Sequence, residues 1–192
     1  STTLTTNNYF GVYNIMERIS LGEGRVEEPR LTAADTTPPA VTGGYLMSID
    51  RPLAGDSQLS LAGQAVNMLD PQIEDLQLPQ RKPQLDYITK YMNEFGAKLS
   101  SKEWTNPVTG YLPYIDRGAW IDHHIIMTLS FNVDALRLSA YFYKQRNGTI
   151  AFGPIWDFDR AFGSTDGRDE NPFVWRSEGG DLGTDFFNHP WW

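Results

Sequence analysis

No window of the sequence constrains the fold as tightly as residues 117 to 131. Trp120, Ile121, Ile125, Ile126, Met127, Leu129 and Phe131 fall in this window, and no proline interrupts it. Wound as an α-helix, these side chains surround most of the cylinder, and a helix that is apolar all round has to be covered on every side. The expectation is therefore a central, buried helix around which the rest of the chain is built. Asp116 is placed to cap its start. The helix ends at Asn132 and Asp134, which opens the question of what two polar side chains do at the exit of a buried element.

The segment that follows sharpens the question. "LRLSAYFYK" and "TIAFGPIW" read as strands, and they flank "QRNG", whose Asn147-Gly148 suits a two-residue hairpin turn. The hairpin delivers the chain into "WDFD", with Asp157 and Asp159 set between aromatic residues. Carboxylates in an apolar setting are costly unless a cation or a donor meets them. Because a hairpin doubles back, Asp157 returns toward Asp134, which lies 23 residues earlier. Carboxylates meeting at one point suit Mg²⁺ or Mn²⁺, which take oxygen ligands and share them with phosphates. One of them could instead accept a proton from an attacking hydroxyl. The bland alternative is an acidic turn capped by Arg160 or by backbone amides.

Upstream, residues 9 to 19, "YFGVYNIMERI", read as a strand with Glu17 on the face of Tyr13 and Ile15. "GRVEE" and "GGYLMSID" give two more short strands, separated by the loop "LTAADTTPPAVTGG". Residues 51 to 80 carry little pattern. After "RKP", Leu85, Ile88, Met92, Phe95 and Leu99 recur at spacings of 3, 4, 3 and 4, an amphipathic helix. Residues 100 to 115 read as a loop. "DHH" at 122 to 124 tempts a metal reading, but consecutive helix residues point apart by about 100°. Beyond Gly163 the chain is polar and Gly-rich, and 164 to 192 is expected to be a mobile or irregular tail.

The bulk numbers exclude more than they assign. A chain of 192 residues suits a single domain, 1 to 192. A net charge of −8 with no basic face argues against a nucleic-acid partner, and no apolar run is long enough for a transmembrane segment. Without cysteine there are no disulfides, thiolate metal sites or thiol catalysis. Both ends read as cut, so the chain is expected to be incomplete.

Taken together, "NVDALRLSAYFYKQRNGTIAFGPIWDFDRAFG" resembles the core of the CotH kinase family, spore-coat or secreted atypical protein kinases. "NNYFGVYNIMERIS", "GGYLMSIDR" and "GYLPYIDRGAWIDHHIIMTLSFN" resemble its preceding segments, so the likeness runs from about 7 to 163 and is strongest over 114 to 163. The resemblance implies an α+β, kinase-like fold: a mixed short β-sheet, a buried central helix, and a hairpin leading into a metal-binding loop. It implies ATP with Mg²⁺ or Mn²⁺ as cofactors, phosphoryl transfer to Ser or Thr of a protein partner, and an extracellular, cell-surface or spore-coat location. By position Asp134 would be the catalytic aspartate and Asp157 the main metal ligand, with Asp159 a second ligand or a structural acceptor. Ser139 stands five residues after Asp134, where kinases carry a metal-binding amide. Glu17 would pair with a phosphate-binding lysine.

The chain departs from that pattern at Ser139, whose hydroxyl is a weaker metal ligand than the amide it replaces, and at the lysine. Spore-coat members carry it about where Met47 or Ser48 stands, yet the first lysine here is Lys82. Arg51 is the substitute in reach, with a planar fork in place of a point charge, and Lys144 is a further candidate for nucleotide contact. The departures favour a second reading, a weak or inactive kinase-like module used for binding or assembly in a larger protein. Other readings of "DFD" are the Asp-x-Asp of a nucleotide-sugar glycosyltransferase and the acidic loop of a Ca²⁺-stabilised surface domain.

Overall fold

A computed structural model describes residues 5–6, 9–12, 16–52, 57–135, 138–163, 170–171 and 173. Its centre is strand β1, Tyr45–Ile49, all five residues of which are buried. Such a strand must be covered on both faces, and it is. Tyr45, Met47 and Ile49 face the main core with Ile88, Met92 and Phe95, while Leu46 packs on the opposite side against Leu21 and Val26. β1 pairs on one edge with β3, Gln64–Asp70, and on the other with β4, Ala140–Lys144. Strand β2, Leu59–Leu61, and strand β5, Ile150–Phe152, complete a five-stranded sheet of order β2-β3-β1-β4-β5. Every pairing among these five strands is antiparallel, which corrects the expected mixed sheet; parallel contact among the described residues is limited to single bridges, Leu21 with Val26 and Ile115 with Ile150.

Helix α1, Ile73–Leu76, is a single turn, and helix α2, Lys82–Leu99, is the amphipathic segment read from the sequence. Ile88, Met92 and Phe95 are fully covered, and Leu85 and Leu99 pack at the margin of the same cluster. One polar residue is buried among them. Gln84 donates to the carbonyls of Thr32 and Asp35, and its own carbonyl accepts from the Tyr45 hydroxyl. The buried amide thus ties the 32–35 loop and β1 to α2 with its polar groups satisfied.

Helix α3 spans Arg117–Leu129, and Asp116 caps it by accepting from the Ala119 amide at 3.1 Å. Contrary to expectation it is not central. It lies against β5 through Trp120 and His123, with Met127 also buried, while Ile121, Ile125, Ile126 and Leu129 are exposed, Leu129 by 66%. The reason is geometric. The helix meets the sheet at its β5 edge, where Trp120 meets Phe152 edge-on and His123 stacks on it, and a three-residue edge strand covers one stripe only.

Three further expectations change. Residues 9–12 and 16–19 form no strand, with 13–15 outside the described residues, and "GRVEE" contributes only a bridge between Val26 and Leu21. The unpatterned 51–80 stretch holds β2, β3 and α1. The hairpin turn sits one residue earlier than read: Gly148 N–H donates to Gln145 at 3.1 Å, and Asn147 takes the left-handed conformation at φ 56°. The expected tail, 164 to 192, lies outside the described residues except for 170–171 and 173.

Burial pushes the His123 imidazole down to about 4, with the neighbouring His124 adding to the effect. A histidine held neutral in the fold binds its proton more readily when unfolded, so stability is full above about pH 6.5 and is lost as pH falls toward 4. Denaturant titrations at pH 7 and pH 5 should differ by about 2 kcal/mol from this group. His123→Phe, which keeps the ring contact with Phe152, should shrink that difference.

Candidate functional site

The site is built where α3 ends. Phe131 N–H donates to Thr128 O at 3.1 Å and Asn132 N–H to Met127 O at 3.2 Å, the paired bonds of a Schellman termination. The turning position is normally glycine; here Phe131 takes it at φ 50°. This reversal swings Asn132 into the interior, where it is fully buried. Its carboxamide then serves two segments. Oδ1 accepts from the Asp134 backbone amide at 3.2 Å, and Nδ2 donates to the Asp157 carbonyl at 2.8 Å. Two flanking backbone bonds, Val133 N–H to Arg160 O at 3.4 Å and Phe162 N–H to Ser130 O at 3.0 Å, hold the 157–162 strip against the helix exit.

The backbone segments carrying Asp134 and Asp157 are therefore joined through one side chain. Asp134 Oδ2 lies 3.5 Å from Arg160, and the pair is largely shielded from solvent. Ser139 joins the other acid: its hydroxyl donates to Asp157 Oδ2 at 3.0 Å. Both residues take positive φ, 54° for Ser139 and 65° for Asp157. Backbone held in this region at two touching residues is the kind of strain that clusters at functional sites.

Asp157 and Asp159 are both exposed, so the premise that they lie in apolar surroundings is corrected. Even so, the Asp157 carboxyl is raised above the usual range. Partial burial of the carboxyl is the first cause. A hydrogen bond with Asp159 and the charges of Asp159 and Asp50 add to it, while the Ser139 hydroxyl opposes. Asp50, at the end of β1, escaped notice in the sequence, where it is one acid among many; only the sheet carries it to the mouth of the site.

A cleft of about 1170 Å³ opens over the face of the sheet that carries Leu46 and Ser48, and, of the acids above, it is Asp50 that lines it. Asp50, Arg51, Tyr141 and Trp156 line it at the acidic end, and Glu17 and Arg25 line it as well. Glu17 does not wait for a lysine: it pairs with Arg25 at 2.8 Å. Lys144 is elsewhere. It is buried, donates to the carbonyls of Thr42, Gln145 and Gly148, and lies over the Tyr91 ring. All three of its protons are used within the protein, which leaves none for a nucleotide.

The chemistry of the donor set can be judged directly. Two carboxylates and a hydroxyl suit a small hard cation that retains water and takes further oxygens from a phosphate. Among the described residues no three His, Cys, Asp or Glu side chains close on one metal-sized point, so this is not a self-sufficient protein cage. Asp157, Asp159 and Ser139 fit a cation shared with its ligand.

A mixed α+β domain with an antiparallel five-stranded sheet, carrying acids at the end of a hairpin, is compatible with a kinase-like fold. The chain belongs to the CotH kinase protein family, whose model matches residues 2–191. No curated protein and no solved structure matches it significantly. The family suggests nucleotide and divalent-metal use, and it is associated with the spore coat. No helix among the described residues is long and apolar enough to cross a membrane.

Asn132 is the part of this site most exposed to a simple test. Asn132→Ala removes its bonds to the Asp134 amide and to the part-buried Asp157 carbonyl, at an expected cost of about 1–3 kcal/mol in urea denaturation.

Proposed function

We propose that this chain transfers the γ-phosphoryl group of ATP to a Ser or Thr hydroxyl of a protein partner. The observation that supports the reading is the single Asn132 side chain gripping both the Asp134 amide and the Asp157 carbonyl. It fixes a proton acceptor and a cation-binding carboxylate on two segments as one unit. Asp134 takes the proton of the acceptor hydroxyl, and Arg160 beside it holds the carboxylate in place. Asp157, with Asp159 and Ser139, holds Mg²⁺, which when bound draws phosphate oxygens together and offsets their charge. Glu17 and Arg51 line the cleft in which the phosphates lie, and the spore coat or cell surface is the setting. Phosphoryl transfer leans on positioning and electrostatics more than on covalent chemistry, so a shared anchor under both acids matters.

One observation favours the second reading, a module that binds nucleotide or a partner without turnover. Asp134 Oδ2 already faces a guanidinium, which competes with an incoming hydroxyl for the carboxylate. Transfer of radiolabelled γ-phosphate to protein acceptors separates the two. Asp134→Asn is expected to lower transfer by about 10²-fold or more while leaving Mg-ATP binding in place. Binding without transfer, unaffected by Asp134→Asn, selects the assembly module.

The raised Asp157 carboxyl gives a further check. Because the Asp157 carboxyl is raised, a cation has to compete there with a proton as the pH falls. Mg²⁺ affinity should therefore be full near neutral pH and fall on acidification toward pH 4. Asp159→Asn should weaken binding and flatten that pH dependence, measured by calorimetric titration.

A further inference from the structure

The cation expected near Ser48 is missing from the sequence, and the structure offers a replacement that sequence order conceals. Four arginines line the cleft: Arg18, Arg25, Arg30 and Arg51. The same lining carries carboxylates, Glu17, Asp50, Asp70, Glu74 and Asp75 among them, so the cleft is no general trap for anions. What distinguishes the arginines is how each is held. Arg30 is spent on Asp70 and on the Leu21 carbonyl. Among the described residues, no side-chain bond is made by Arg18 or Arg51, so each would lose much conformational freedom on gripping a ligand. Arg25 is oriented without being consumed. One terminal nitrogen meets Glu17 Oε1 at 2.8 Å and the Arg18 carbonyl at 2.9 Å. Among the described residues its other N–H groups make no hydrogen bond. It stands on the tight turn from Leu21 to Val26, closed by Gly22 N–H to Val26 O at 2.9 Å. The Leu21 and Val26 side chains that anchor this turn are packed on Leu46 of the central strand.

We infer that Arg25, oriented by Glu17, is the positioning cation that takes the phosphates of the nucleotide in this chain. The inference rests on the nucleotide reading above and adds the residue that reading lacked. Glu17 keeps the task of orienting a cation; the cation comes from eight residues further along instead of from the central strand. A guanidinium suits the role because its planar fork keeps free donors for phosphate oxygens after one nitrogen is committed.

The test is Mg-ATP, tripolyphosphate and adenosine binding to the full chain, by calorimetry, for the wild type and for Arg25→Ala, Glu17→Gln, the double variant and Arg51→Ala. Arg25→Ala should weaken Mg-ATP and tripolyphosphate by a similar factor, roughly tenfold, and leave adenosine unchanged. Glu17→Gln should weaken the phosphate ligands less, and the double variant should be no worse than Arg25→Ala, the signature of residues acting as one unit. The exchange Glu17→Arg with Arg25→Glu restores an ion pair and the turn; it should not restore tripolyphosphate binding. Unchanged tripolyphosphate affinity in Arg25→Ala, or full recovery in the exchange variant, overturns the inference while leaving the nucleotide reading intact. A larger loss in Arg51→Ala than in Arg25→Ala overturns it likewise. Wild-type protein that binds neither Mg-ATP nor tripolyphosphate overturns both.

Discussion

One buried carboxamide carries much of this architecture. Asn132 lies beneath the point where the end of α3 and the strand leaving the hairpin meet, and it satisfies a donor on one and an acceptor on the other. A charged residue there would need a compensating charge, and an apolar one would leave two backbone groups without these partners. An amide has one donor end and one acceptor end, and the two segments present the complementary groups. The left-handed Phe131 that swings Asn132 inward is part of the same arrangement, since a helix running on through 132 would carry the side chain around the cylinder.

How much of this was legible in the sequence depends on the range of the interaction. The α2 stripe, the Asp116 cap and the hairpin around Asn147 rest on contacts within a few residues, and spacing and side-chain chemistry reported them correctly in kind. The exposure of α3 was not legible, because burial belongs to the partner surface as much as to the helix. Strands β2 and β3 escaped for a related reason: their pattern of half-buried positions becomes intelligible only beside β1. The bulge between Leu46 and Met47 also breaks the simple alternation that sequence reading relies on.

The candidate site divides the same way. The return of the 157 segment toward the end of α3 followed from hairpin geometry, while the bond from the Ser139 hydroxyl to Asp157 had no signal in the sequence beyond position. Lys144 illustrates the opposite. At a strand end it reads as a solvated cation, but β4 is an inner strand and its terminus is roofed by the 42–44 segment and the hairpin turn. Asp50 and Arg25 had no signal at all. Each is an ordinary charged residue beside a turn or strand end, given meaning by which face of the sheet it reaches.

The central place of β1 has a consequence for the order in which the molecule can assemble. Its pairing with β4 joins residues separated by nearly half the chain, and the entropy of closing so long a loop has to be overcome before that contact is rewarded. The β4–β5 hairpin and α3 are local and can form early. β1 and its roof of Leu21 and Val26 can also come together on their own, but the acidic end of the cleft exists only once the two halves have docked. During synthesis from the amino terminus, the wall carrying Glu17 and Arg25 leaves the ribosome well before the segment carrying Asp134 and Asp157. A nascent chain would thus have its cation wall long before it had anything to hold the metal end of a nucleotide.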